Sequence, residues 1–199
     1  MNASEEVFCR YLDQHSLEYE QDYLVGSETN PTNVDFYIKS GDFSIYADVK
    51  AVISSGASGG PDADRNIRKD VRRLRSKFKY IPTMPVVLVT MNYSPRFFTG
   101  LTVARALLGE IGFYFDTNGR SPMQHLSRGD AVLTKRHNRI ISAVLGFDRV
   151  NQKHYLFENP FAHHRVPSSF FPGVRVVPLD REAAEFELVE LSRIMFWEA

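Results

Sequence analysis

The sequence lacks disulfide-forming cysteines, an excess of charge and long apolar runs. Cys9 is the only cysteine among 199 residues, which excludes internal disulfides and cysteine-rich zinc sites. Basic and acidic residues are equal at 24 each, so a surface for nucleic acid must be a local patch. No apolar run approaches the roughly 20 residues that cross a bilayer, and the polar start of the chain gives no signal peptide. We therefore expect a cytoplasmic protein with no membrane partner.

Hydrophobic patterning predicts an α/β fold. Apolar residues make up 43% of the chain, enough for a real core. The predicted order is a helix at 5–15, strands at 19–25, 34–38 and 43–52, a helix that starts at Asp62 or Asp64, and an apolar strand at 85–91. This order predicts a mixed central β-sheet flanked by helices. We expect one domain over residues 1–199, with a core over about 4–92 and a C-terminal elaboration over about 100–199.

The elaboration is less regular. Its patterns predict a helix at 103–108, a strand at 111–115, a hairpin that joins 139–147 to 155–157, and a C-terminal helix at 182–197. No motif in this half indicates a function.

The third predicted strand carries the chemically informative residues. Side chains alternate between the two faces of a strand, so Asp48 and Lys50 lie side by side on one face. A turn signal at Ser40, Gly41 and Asp42 predicts that the strands at 34–38 and 43–52 form a hairpin, so Asp35 lies on the strand next to Asp48. Two carboxylates and a lysine can therefore converge. Hard cations such as Mg²⁺ prefer carboxylate oxygens, and a cation held in this way can activate water against a phosphodiester.

The run NPTNVDFYIKSGDFSIYADVKAV resembles the PD-(D/E)xK nuclease superfamily, in which an acid on one strand precedes an acid-x-lysine triplet on the next. The resemblance covers the first half of the chain and implies a restriction-endonuclease-like core in the order α-β-β-β-α-β. It also implies that Asp35, Asp48 and the main-chain carbonyl of Val49 bind Mg²⁺, with Mn²⁺ as a substitute, and that Lys50 assists catalysis. The chain departs from the pattern at Val34, where proline is common, and in having the shorter acid at Asp48.

Many members of this superfamily carry a third metal-binding acid on the first helix. Glu5 shares a helical face with the apolar Phe8 and Leu12, so we favour Glu5. Glu6 and Glu20 stay open as alternatives.

The helix after the segment at 54–64, which is rich in glycine and serine, carries an apolar stripe of Ile67, Val71, Leu74 and Phe78 and is otherwise strongly basic. Residues 65–79 hold eight basic side chains and one acid. We expect this helix to bind nucleic acid through one basic stripe beside its apolar face and through Lys69. The stripe consists of Arg65, Arg68, Arg72, Arg75 and Lys79.

The combined features predict a Mg²⁺-dependent nuclease that hydrolyses DNA in repair, restriction or defence. A second hypothesis is a nuclease-like domain without turnover that binds nucleic acid or protein. An RNA-directed nuclease ranks third, because no RNA-reading motif of the stacking-sheet type occurs. Duplex cutters often pair two sites by two-fold symmetry, so a homodimer also stays open.

Overall fold

The computed structural model describes residues 2–26, 31–52, 61–92, 103, 106–107, 110–114, 123–127, 132–133, 138–148 and 153–178. In chain order, the elements of this part are α1 (Ala3–Gln14), β1 (Glu18–Val25), β2 (Thr32–Ser40), β3 (Phe43–Val52), α2 (Pro61–Lys77), β4 (Val86–Asn92), β5 (Glu110–Tyr114), β6 (Met123–Ser127), β7 (Ile141–Asp148), β8 (Lys153–Glu158) and β9 (Arg175–Pro178). The protein is therefore α/β, and the predicted order of a helix, three strands, a helix and a strand is confirmed.

A seven-stranded mixed sheet forms the centre, in the order β1-β2-β3-β4-β7-β8-β9. β1, β2 and β3 pair antiparallel, whereas β3, β4 and β7 run parallel. β4 occupies the middle position, as its largely apolar sequence predicts. The predicted hairpin of β7 and β8 is also present, with Asp148 opposite Lys153.

The C-terminal half extends the sheet. β7, β8 and β9 add three strands beyond β4, and β9 runs parallel to β8. β5 and β6 form a separate antiparallel pair. The sequence patterns predict a strand near β5 but neither β6 nor β9. Val103, Ala106 and Leu107 are helical, as expected, and the predicted C-terminal helix at 182–197 lies outside the described residues.

The two faces of the sheet carry different cores. α1 packs Phe8 and Leu12 into a cluster that also contains Val49. The predicted apolar stripe, Ile67, Val71 and Leu74 of α2 with Phe78 directly after it, packs into the cluster on the other face with Tyr46 and Leu88. The alternation predicted for β3 is therefore confirmed.

α2 begins at Pro61, ahead of the predicted caps at Asp62 and Asp64, since proline is well tolerated in the first helical turn. No helix in the described ranges is long and apolar enough to span a membrane.

Candidate active site

The site lies where β2 and β3 stop pairing through their main chains. The last paired residues are Phe36 and Ala47. Beyond them, side chains supply the interstrand hydrogen bonds. The Asp35 amide donates to Asp48 Oδ1 at 3.2 Å, and the Val49 amide donates to Asp35 Oδ2 at 2.7 Å. These reciprocal bonds hold both carboxylates at the point where β2 and β3 diverge. The two carboxylates therefore lie close together, as the prediction of a hairpin implies.

Lys50 lies at the centre of an all-oxygen site. Its Nζ is 2.9 Å from Asp35 Oδ2 and 2.9 Å from the carbonyl oxygen of Val49. It is also 3.5 Å from Asp48 Oδ2. The residues of the predicted motif therefore converge, namely Asp35, Asp48, Val49 and Lys50. The Lys50 ammonium already lies among the three oxygen atoms that could bind a cation.

Asp48 is the most deeply buried member of the site. Its side chain has no exposed surface, whereas those of Asp35 and Lys50 are 21% and 24% exposed. A buried carboxylate is costly unless it is paired with positive charge and hydrogen bonds. The site meets this need with a second lysine that the sequence pattern did not single out.

That second lysine is Lys77, at the C-terminal end of α2. Its Nζ donates to Asp48 Oδ2 at 2.5 Å and to the Asn33 carbonyl at 3.3 Å. The sequence places Lys77 among the basic residues of the helix but gives it no individual role. The strand motif could not identify Lys77, because this residue is 29 positions away from Asp48 in the sequence and lies on the helix that packs over the sheet.

Burial and the charges of the site together shift the pKa values of Lys50 and Asp70. Burial alone would lower the pKa of Lys50, but Asp48 and Asp35 outweigh burial and raise it. Lys50 therefore carries its positive charge at neutral pH. On α2, burial raises the pKa of Asp70, and Lys50 is the strongest of the groups that oppose this rise. The negative charge of Asp48 also raises the pKa of Asp70. The charged groups of the site therefore interact electrostatically with α2.

The oxygen set fits a hard divalent cation. Mg²⁺ takes one or two carboxylates, keeps several waters and binds oxygens at about 2.0–2.1 Å. Asp35, Asp48 and the Val49 carbonyl offer such a set within 3.5 Å of the Lys50 ammonium nitrogen. Among the residues that the structure describes, no group of three or more histidine, cysteine, aspartate or glutamate side chains could hold a metal. The fit therefore rests on two carboxylates and one carbonyl.

The structure does not bring Glu5 to Asp35 and Asp48, since these three described acids form no such group. Instead, Glu5 belongs to a capping box at the start of α1. Its Oε2 accepts from the Asn2 amide at 2.8 Å, and its Oε1 accepts from the Asn2 side chain at 2.6 Å. The alternatives Glu6 and Glu20 are exposed and, like Glu5, belong to no such group within the described ranges.

The basic residues of α2 lie on two flanks of its apolar stripe. With about 3.6 residues per turn, Asp70, Arg73 and Lys77 lie on the flank that faces Asp48. The basic stripe predicted from the sequence lies on the other flank, with Arg65, Arg68, Arg72 and Arg75 on α2 and Lys79 two residues beyond its end. Lys69 lies between the flanks. Helical periodicity separates the two flanks but does not show which one faces β2.

The chain was also compared with known proteins. No model of a known protein family matches it, and no curated protein matches its sequence significantly.

Proposed function

We propose that the protein is a metal-dependent phosphodiesterase that hydrolyses nucleic acid, with DNA as the first expected substrate. The single observation that carries the proposal is the convergence of Asp35 Oδ2, Asp48 Oδ2 and the Val49 carbonyl around one cationic group. The resemblance to the PD-(D/E)xK superfamily supports it, because the chain has the α-β-β-β-α-β order of the restriction-endonuclease-like core.

In this proposal, Asp35, Asp48 and the Val49 carbonyl hold Mg²⁺ or Mn²⁺. A cation of this kind supplies Lewis acidity and lowers the pKa of a bound water. The hydrogen bonds between Asp35 and Val49 and between Asp48 and Asp35 hold the carboxylates in place before substrate arrives. Lys50 stays protonated and neutralises negative charge on the phosphate. The basic helix α2 attracts the phosphate backbone.

A cleavage assay tests the proposal on supercoiled, linear, single-stranded and branched DNA and on RNA. Each substrate is incubated with Mg²⁺, Mn²⁺ or EDTA and with wild type, Lys50→Ala or Lys39→Ala. Lys39 is a half-exposed lysine on β2 that makes a long 4.0 Å ion pair with Glu18, so Lys39→Ala is a matched control. We expect metal-dependent cleavage by wild type and by Lys39→Ala, and none by Lys50→Ala. The panel also decides between DNA and RNA.

A second candidate is a nucleic-acid or protein binding module without turnover. The observation in its favour is that Lys50 and Lys77 already neutralise both carboxylates without a metal. In that case no substrate is cut, Lys50→Ala leaves binding unchanged, and Arg72→Glu weakens it. Intact substrates throughout the panel, together with retained binding, would favour this candidate over the nuclease.

A further inference from the structure

Lys77 and Lys50 approach the same carboxylate oxygen from two layers of the fold. Asp48 Oδ2 lies 2.5 Å from Lys77 Nζ and 3.5 Å from Lys50 Nζ. The Lys77 side chain is 27% exposed, whereas that of Asp48 is fully buried. Lys77 therefore reaches inward from the end of α2 to a group that has no contact with solvent.

The charges balance in the absence of a metal. Two aspartates face two lysines, so the site is neutral as it stands. A divalent cation among the same oxygens would leave the site with excess positive charge, even after the nearby Asp70 is counted. An ammonium group and a metal ion would also compete for Asp48 Oδ2. Charge balance therefore disfavours the binding of a metal ion alone and favours the binding of a metal ion together with an anion.

We propose that Lys77 is a further phosphate-binding residue of the site, paired with Asp48 in the metal-free protein and with the substrate phosphate when a cation is bound. This inference rests on the proposed function. Lysine suits the exchange, because its ammonium is a compact charge on a flexible stem. The Lys77 main-chain carbonyl accepts from the Thr32 hydroxyl of β2 at 3.0 Å, and the Lys77 ammonium contacts the Asn33 carbonyl, so the stem of Lys77 starts beside β2. The same charge balance couples metal binding to nucleic-acid binding, and such coupling is reciprocal.

The first test measures Mn²⁺ binding in the absence of nucleic acid, by electron paramagnetic resonance, for wild type, Lys77→Met, Asp48→Asn and the control Lys39→Met. We expect Lys77→Met to bind Mn²⁺ about tenfold tighter than wild type or more, because a competing positive charge is removed near the ligand oxygen. Single-turnover cleavage by Lys77→Met should nevertheless fall, since a phosphate contact is lost. A merely structural role would not produce opposite changes in the two measurements.

The second test uses wild type alone and so does not depend on the folding of any variant. Mn²⁺ affinity is measured with and without a nuclease-resistant phosphorothioate oligonucleotide of the form that the cleavage panel identifies. We expect the oligonucleotide to tighten Mn²⁺ binding by roughly 5–150-fold, the usual range of coupling between two ligands.

The outcomes separate this inference from the proposed function. Equal Mn²⁺ affinity in wild type and folded Lys77→Met, or no coupling to the oligonucleotide in wild type, would overturn the role of Lys77 and leave the metal site intact. No Mn²⁺ binding by wild type, or undiminished binding by Asp48→Asn, would overturn the metal site itself and the role of Lys77 with it.

Discussion

At the scale of single residues, Asp48 shows how a short motif becomes a site. Its carboxylate accepts hydrogen bonds from the Asp35 amide and from Lys77, forms an ion pair with Lys50, and has no exposed surface. Strand alternation was sufficient to predict that Asp48 and Lys50 share a face and lie near Asp35. It could not predict Lys77, because that contact depends on how α2 lies over the sheet.

Glu5 provides a prediction about helix capping. Glu5→Ala removes the hydrogen bonds that Glu5 accepts from Asn2, so we expect the variant to lose about 0.3–1.5 kcal/mol of stability, the usual contribution of one such capping interaction. Urea unfolding measures this loss. Mn²⁺ affinity should stay at the wild-type value, and a large fall in that affinity would show that Glu5 is a metal ligand after all.

Asp70 provides a prediction about pH. Its pKa is raised by burial above the ordinary value of 3.8, so between the two pKa values the folded protein binds more protons than the unfolded chain. The contribution of Asp70 to stability is therefore greatest below the ordinary pKa and falls as pH rises through the raised one. We expect Asp70→Asn to be more stable than wild type at neutral pH, with an advantage that shrinks on acidification. Urea unfolding over a pH series checks this, and a less stable Asp70→Asn at neutral pH would contradict it.

At the scale of secondary structure, α2 separates what periodicity predicts from what it leaves open. The apolar stripe of Ile67, Val71, Leu74 and Phe78 was predicted and is buried. Periodicity alone does not identify the flank of α2 that faces the site. A signal was available, because crossovers between parallel strands are almost always right-handed. Combined with the order of β2, β3 and β4, this rule directs the flank of Asp70 and Lys77 toward β2.

The two flanks of α2 provide a matched pair of variants. Arg73 and Arg75 are both exposed, but Arg73 shares the flank of Lys77 whereas Arg75 lies on the other flank. We expect Arg73→Glu to weaken nucleic-acid binding more than Arg75→Glu and to reduce the salt dependence by about one phosphate contact. Fluorescence anisotropy over a salt series measures both effects. A larger effect of Arg75→Glu would place the substrate on the flank predicted from the sequence.

The packing of α1 provides a stability prediction. Phe8 is fully buried, and its ring packs edge-on against two other rings. The ring centroids are 5.3 Å apart for Phe36 of β2 and 5.8 Å apart for Phe147 of β7. We expect Phe8→Ala to lower the free energy of unfolding by about 3–5 kcal/mol, the usual cost of removing a buried aromatic ring. Val7→Ala is a control from the partly buried side of α1 and should cost less. Similar losses of stability in both variants would contradict a dominant role of Phe8 in this packing.

At the scale of the whole molecule, the C-terminal half shares a core with the motif-bearing half. Phe147, Leu156, Phe170 and Phe171 lie in the cluster that contains Phe8 and Val49. The Tyr11 hydroxyl donates to the Pro172 carbonyl at 2.7 Å. These long-range contacts explain why the C-terminal half was harder to predict than the first half. β9 is only four residues long and ends at a proline, so its pairing with β8 depends on the sheet already present.

The central claim is that Asp35, Asp48 and the Val49 carbonyl hold a divalent cation where the structure has the Lys50 ammonium. Anomalous diffraction from crystals grown with Mn²⁺, for wild type and Asp48→Asn, tests it most directly. We predict one wild-type peak bounded by those three oxygens, a displaced Lys50 ammonium, and no such peak in Asp48→Asn. An undisplaced Lys50 with no peak among the three oxygens of wild type would contradict the claim.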